Sequence, residues 1–307
     1  MLKKLLKILS DLKYNIKFIP LYIHFIFLNL FGNGAIIVRS WVDSGDKTGI
    51  AKNNWGDDLN KYLLERLTEK RVLFIPDNLT FNQKNTLPTH FMFIGSILTF
   101  YNLDNAVIYG TGIKSPNDTI TGKPSKIVSV RGPKTRQRLL ENNIDCPQCY
   151  GDPALLLPYV YTPKKTGKKD IILIPNEGTP NDIPLLNTMR ENGFSILNMA
   201  KYDEWTDIID SIAGSEFVVS ESLHGLIVAE AYGVPSVWVE FIEHPSWWSF
   251  KYNDFYESVN KFGEESIKLY ENCDLNQITQ KAGEWKRGSI DYRKMIEAFP
   301  FDSDFLK

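Results

Sequence analysis

Short apolar runs alternate with amphipathic stretches along most of this chain. Four- and five-residue runs rich in Ile, Val, Leu and Phe predict strands at Ala35–Arg39, Arg71–Ile75, Phe91–Ile94, Ala106–Tyr109 and Ile127–Val130. Between the first two lies a predicted helix, Asp58–Lys70, with Leu59, Tyr62, Leu63 and Leu67 on one face and Asp57 as its N-cap. A second helix is expected over Lys134–Glu141. The stretch Pro158–Asp170 carries Pro, Gly and Lys with few apolar residues and reads as a linker, with the division near Thr162–Lys169. The alternation then restarts. Strands are expected at Ile171–Ile174, Phe194–Leu197, Phe217–Ser220 and Val237–Phe241, and helices at Pro184–Glu191, Glu204–Ala213 and Leu226–Tyr232. The tail from about Glu264 is polar and helical. Strand–helix alternation of this kind builds parallel sheets. The expected fold is therefore α/β, with two Rossmann-like domains: residues 35–165 and 166–307, preceded by a segment over 1–34. Ligands in such folds bind at the carboxyl ends of the strands, here in a cleft between the two halves.

The N-terminal segment differs from the rest. Leu2, Leu5, Leu6, Leu9 and Leu12 recur at helical spacing among Lys3, Lys4, Lys7 and Lys13, and Phe18–Val38 holds no charged residue. The stretch Phe18–Phe31 is shorter than the ~20 residues a spanning helix needs. Two readings stand: a helix packed on the first domain, or a basic amphipathic segment over residues 1–31 resting on a membrane surface.

The 307 residues are 43% hydrophobic and carry a net charge of -2, which excludes a general nucleic-acid binder. Three Cys imply no disulfide framework and fit a reducing cytoplasm. Cys146 and Cys149 spell C-x-x-C without the further ligands a zinc site needs, so no metal is expected.

Several segments place Gly or polar residues where a strand ends. These are Asn54-Trp55-Gly56-Asp57, Gly95-Ser96, Gly110-Thr111-Gly112, Val130-Arg131-Gly132-Pro133 and Ser220-Glu221-Ser222-Leu223-His224-Gly225. Asp57 reads equally as a helix cap or as a catalytic carboxylate. The Arg131 fork suits a phosphate or carboxylate, or else a salt bridge with Asp152. Ser222 and His224 at a helix start make a candidate anion site.

Taken together with Gly151-Asp152-Pro153 and Phe250-Lys251-Tyr252-Asn253-Asp254-Phe255-Tyr256, these motifs resemble the polysaccharide pyruvyl transferase family, in particular the xanthan- and succinoglycan-type ketal pyruvyl transferases. The resemblance runs from about Asn53 to Ser258. It implies a GT-B-like fold, phosphoenolpyruvate as co-substrate without any cofactor, and a sugar acceptor, typically lipid-linked. It also implies a cytoplasmic enzyme of surface-polysaccharide or capsule assembly, peripheral on the inner face of the membrane. On this reading Arg131, Ser222, Leu223, His224 and Gly225 bind the donor. His224 is a phosphate ligand or the proton donor, and Asp57 is the base. Asn54, Gly56, Gly95, Ser96, Thr111, Gly112, Lys251 and Asp254 line the cleft on the acceptor side, and Trp247 and Trp248 are candidates for stacking on a sugar. Two departures stand out: Ser222 occupies a position where many relatives carry Arg, and Pro175-Asn176-Glu177 stands where they often have Pro-His. The alternatives are a GT-B glycosyltransferase using a nucleotide sugar and a non-catalytic sugar-binding protein of capsule assembly. Against the first, Glu221 and Glu230 are one residue too far apart for the E-x7-E pair of such enzymes.

Overall fold

In the computed structural model the run Ala35–Val38 (β1) is buried at every position and sits inside a five-stranded parallel sheet. The structure describes residues 19–31, 34–41, 54–75, 89–164, 170–180, 182–271 and 273–302. The other strands of this sheet are β2 (Arg71–Phe74), β3 (His90–Met92), β4 (Ala106–Ile108) and β5 (Lys126–Ile127), in the order β2-β1-β3-β4-β5. A second parallel sheet has the order β10-β9-β8-β6-β7. It comprises β6 (Ile171–Ile174), β7 (Phe194–Ile196), β8 (Val218–Ser220), β9 (Ser236–Glu240) and β10 (Ile267–Lys268). The central strands β1, β8 and β9 are buried throughout, while the edge strands β2 and β5 are partly exposed. This is the expected consequence of helices covering both faces of a parallel sheet. The two sheets are separate, and the predicted division near Thr162–Lys169 lies, from residue 165 on, outside the described residues.

Helix α1 (Ile19–Phe31) packs beside β1 and β2, and the Gly34 amide closes it by donating to the Leu28 carbonyl at 3.0 Å. Helix α2 runs over Trp55–Thr68, three residues earlier than predicted. Its cap is Asn54, whose side chain accepts from the Gly56 amide at 3.1 Å. Asp57 therefore lies inside the first turn, where a carboxylate complements the helix dipole. Trp55, Leu59, Leu63 and Leu67 form the buried face, and Glu69 ends the helix with φ 56. After the short α4 (Leu157–Val160), the second-half helices α5 (Pro184–Glu191), α6 (Trp205–Ala213) and α7 (Leu223–Tyr232) follow the sequence reading, with α7 beginning three residues early.

Helix α2 also joins the two halves. Its Trp55 amide donates to the Met199 carbonyl at 3.0 Å, its Trp55 indole to the Trp205 carbonyl at 2.7 Å, and Tyr202 donates to Asp58 at 2.6 Å. The C-terminal elements cross back to the first half. Helix α3 (Pro133–Glu141) meets α8 (Phe250–Ser258) through a 2.9 Å Lys134–Glu257 ion pair. After α9 (Leu275–Glu284), α10 (Tyr292–Glu297) accepts the Tyr109 hydroxyl at the Met295 carbonyl, and Phe299 packs on Phe93 and Tyr109.

Each sheet reverses its winding at its middle. The first does so between β1 and β3, the second between β6 and β8. Crevices open outside the carboxyl ends of strands at such switch points. The segments following these four strands are Trp41, Gly95–Ser96, Pro175–Glu177 and Ser222–His224, and they converge on one cavity.

Candidate active site

The cavity has a volume of about 560 Å³ and lies between the two sheets. That is within the ordinary range for a small-molecule site. One wall comes from the first half: Trp41, Asn54, Asp57, Gly95, Ser96, Phe100 and Lys114. The other comes from the second half, including Asn176, Glu177, Lys201, Ser222, Leu223, His224, Trp248 and Lys251.

His224 lies in the first turn of α7, with Ser222 at the N-cap. First-turn amides have no acceptor within their own helix, so this end of α7 carries a partial positive charge toward the cleft. The ring packs on the backbone of Gly56; a methyl group at that position would collide with the imidazole. Nε2 is buried without a hydrogen-bond partner among the described residues. Burial, and then the nearby Lys251 and Arg131 charges, push the imidazole pKa down to about 3, so it is neutral at physiological pH. The Gly56–His224 contact joins the two halves directly at the site. Gly56→Ala is expected to displace the ring, at a cost of about 1–3 kcal/mol. Alanine's higher helix propensity returns roughly 1 kcal/mol of this. A net loss of about 0–2 kcal/mol in stability is therefore expected, and turnover should drop by about an order of magnitude as the ring leaves its place. Unaltered turnover would show that the ring position is irrelevant.

Lys251, near the start of α8, brings its ammonium to 3.8 Å from the centroid of Trp248. Among the described residues no carboxylate lies within ion-pair distance of it. Burial, helped by the Lys114 and Arg131 charges and opposed by Glu221 and Asp57, lowers its pKa to about 7. Trp248 in turn stacks on His244, ring centroids 4.0 Å apart, and His244 Nε2 lies 2.8 Å from the buried Glu221 carboxylate. Glu221 also accepts from the Phe241 amide at 2.9 Å, the Asn176 amide at 3.1 Å and the Thr179 hydroxyl. One buried carboxylate thus ties together the loops after β6, β8 and β9. Glu230 is equally occupied, paired with Lys261 at 2.6 Å, and neither Glu borders the cavity.

On the first-half wall, Asn54 donates to Asp57 at 2.6 Å and to Glu177 at 3.4 Å across the cleft. Gly95, with φ 114, has no side chain to press on Asp57; a methyl there would stand 3.2 Å from Oδ1.

Arg131 is not in the cleft. It is fully buried beneath it, and its partner is Asp254 rather than Asp152, with Nε 3.0 Å from Oδ2. The same guanidinium donates to the Ile113 carbonyl at 2.7 Å and to the Ser96 hydroxyl. Asp254 also accepts from the Thr135 amide at 2.8 Å and hydroxyl at 2.7 Å. The expected meeting of Arg131 with a donor at the rim is therefore replaced by a buried ion pair that sets the position of Ser96, which does face the cavity. Asp254 likewise supports the wall without lining it. Asp152 instead caps the turn at Pro153–Leu156 by accepting from the Ala154 amide at 3.0 Å. Gly112 leaves room for the Arg131 guanidinium, Thr111 donates to the Gly95 carbonyl at 2.7 Å, and Gly225 packs on Ser220. These three residues shape the wall from behind. Trp247 is partly buried at the core edge, and Trp248 serves Lys251.

The sequence reading missed Trp41, Phe100, Lys114, Glu177 and Lys201 as wall residues. Lys114 lies two positions after the flagged Gly112, and Trp41 three after β1. Their chemistry gave no motif. Cys146 and Cys149 are buried free thiols, burial raising both, Cys146 to about 12. Among the described residues no three His, Cys, Asp or Glu side chains are placed to hold a metal ion.

An uncharacterised protein of Acanthamoeba polyphaga mimivirus is 28% identical over 230 residues, covering 72% of this chain and 75% of its own length. The family model for polysaccharide pyruvyl transferase matches residues 1–241, which takes in both sheets up to β9 and every cavity residue before Trp248. With the two parallel sheets, the cleft at their switch points and this match over most of its length, the chain belongs to the polysaccharide pyruvyl transferase family.

Proposed function

We propose that the protein transfers the pyruvyl group of phosphoenolpyruvate onto a sugar of a lipid-linked surface-polysaccharide precursor, forming a ketal. The observation that carries this reading is that the Lys251 ammonium, with no ion-pair partner among the described residues, borders the same cavity as the helix start at His224. A partly buried cation with no carboxylate in contact among the described residues is costly unless an anion arrives. Phosphoenolpyruvate offers two anionic groups, a phosphate and a carboxylate. Lys114 and Lys201 add positive charge to the same cavity.

In the proposed reaction the methylene carbon takes a proton, a sugar hydroxyl oxygen bonds to the central carbon, and the C–O bond to phosphate breaks. A second hydroxyl of the same sugar then closes the ketal. Two hydroxyl protons are released; one balances the proton gained by the methyl group and the other leaves with inorganic phosphate. Lys251 and the α7 amides hold the donor anions. His224, neutral before binding, gains basicity as the donor's negative charge offsets its cationic neighbours, and so serves as phosphate ligand or proton carrier. Asp57 accepts the proton of the attacking hydroxyl. Phosphate release from phosphoenolpyruvate, measured against lipid-linked sugars with two free hydroxyls, tests this directly. Release that depends on acceptor is expected; release driven by a nucleotide sugar, or none with any acceptor, sinks the reading.

The same reading places the enzyme at a membrane surface. No helix among the described residues is long and apolar enough to cross a bilayer. Helix α1 nonetheless exposes Ile23, Phe27, Leu30 and Phe31, and the sequence before it is Lys-rich. An apolar stripe beside basic residues suits an anionic bilayer surface. In vesicle flotation, binding to anionic vesicles is expected to exceed binding to neutral ones and to weaken in Phe27→Glu/Phe31→Glu. Binding unchanged by that substitution removes α1 as the contact.

A further inference from the structure

Trp41 and Phe100 are large apolar side chains left about half exposed, at 53% and 45%, on the first-half wall of the cavity. They pack on each other with ring centroids 5.7 Å apart. Water-facing apolar surface concentrated at the edge of a polar cleft marks a contact site more often than a chance exposure. The pair is also held in place. Beyond β1, the Asn60 amide donates to the Ser40 hydroxyl at 2.9 Å, and the Tyr101 hydroxyl donates to the Ser40 carbonyl at 3.1 Å. Arg39 lies 4.1 Å over the Tyr101 ring. Both residues of the pair are thus neighbours in sequence of anchored groups, Trp41 of Ser40 and Phe100 of Tyr101. Lys114 stands 5.6 Å from the Phe100 ring and 5.9 Å from the Trp247 ring, between this pair and the second-half wall.

We infer that Trp41 and Phe100 form the platform on which the acceptor pyranose ring rests, its apolar C–H face against the aromatic rings. The chemistry of the two walls favours this division. The Lys251–His224 side offers cations and helix amides, which suit a small dianion. The Trp41–Phe100 pair offers rigid apolar area, with Lys114 at its edge, and aromatic rings supply such area at little entropic cost. A hexopyranose presents an apolar C–H face on one side and hydroxyls around its edge. Resting on the platform, it turns those hydroxyls toward Asp57 and the donor. The assignment rests on the pyruvyl-transfer reading for the identity of the second substrate, but binding of the sugar itself does not require the donor.

Ligand-observed saturation-transfer NMR with methyl hexopyranosides of gluco, galacto and manno configuration tests the platform without phosphoenolpyruvate. The full-length protein is expected to saturate the ring C–H protons of at least one glycoside. Trp41→Leu/Phe100→Leu should abolish that transfer, and Trp41→Phe should keep part of it. Because both side chains are half exposed, the double variant should melt near the parent. Its melting shift with phosphoenolpyruvate should be intact, and the acceptor KM should rise at least tenfold with kcat little changed. No transfer to any of the glycosides, or transfer undiminished in the double variant, overturns the platform. A parent protein that binds glycoside but shows no phosphoenolpyruvate-dependent shift keeps the platform and removes the pyruvyl-transfer reading instead.

Discussion

Asp254→Ala is expected to destabilise the protein by about 3–5 kcal/mol, because it leaves the wholly buried Arg131 guanidinium without its counter-charge. The side chain does more than neutralise. It takes a hydrogen bond from Arg131 and two from Thr135, so three donors lose their acceptor at once. A loss of this size lowers the melting temperature on the order of 10 °C in a chain of this length. Asp254→Asn keeps an acceptor oxygen but not the charge and should fall between the parent and alanine. Replacing both partners, as in Arg131→Met/Asp254→Leu, should recover much of the loss, since the expense lies in stranding a charge rather than in lacking a pair. Differential scanning calorimetry on the four proteins decides it. Equal destabilisation by the single and the double variants would mean that the pair is not the unit that matters.

This network also shows where sequence reading reaches and where it stops. The strand order could not be read, but the strands themselves largely could, since buried parallel strands require continuous apolar runs such as Ile171–Ile174. Helix α5 was found at its exact bounds, because Pro184 at its first position and the apolar Leu186 and Met189 leave few other choices. Helix α2 was misplaced by three residues. Gly56 weakens any helical reading of its first turn, and the true cap, Asn54, lies upstream of it. Strand β5 was expected over Ile127–Val130, yet its ladder covers Lys126–Ile127, and Val130 makes a lone bridge to Tyr150 instead. At the site, strand ends followed by Gly or polar residues singled out Asn54, Asp57, Gly95, Ser96, Ser222, Leu223 and His224, and the family resemblance singled out Lys251; all eight border the cavity. Arg131 carried the same local signature and belongs to the support beneath. Its partner is 123 positions away in sequence, and no local pattern announces that Asp254 will meet it. The same holds for the series from Glu221 through His244 and Trp248 to Lys251, whose members only the fold brings together.

That series ends on the side chain with the largest expected effect on activity. Lys251→Met keeps the apolar length of the side chain against Trp248 and removes the charge. Donor binding should weaken by about 2–5 kcal/mol, the usual loss when one member of a desolvated charge pair is removed. The corresponding change in kcat/KM runs from roughly 30-fold to several thousand-fold. The pH dependence separates a charge effect from a packing effect. With its pKa lowered to about 7, Lys251 in the free enzyme is protonated below that pH and increasingly neutral above it. An anionic donor prefers the protonated form, so above pH 7 binding must take up a proton. Between pH 7 and pH 9, where the donor's own charge is nearly constant, affinity should fall roughly fifty-fold for a single proton taken up. In Lys251→Met that slope should disappear. Stability runs the opposite way. The fold disfavours the charged ammonium, so its penalty is complete below about pH 7 and fades as pH rises toward 10.5, the ordinary lysine value. Relative to Lys251→Met, the parent should thus gain stability over the same pH interval in which it loses donor affinity. Titrating phosphoenolpyruvate by calorimetry at pH 7 and pH 9, beside melting curves of both proteins, reads the two trends together. Equal slopes in parent and variant would place the donor's charge partner somewhere other than Lys251.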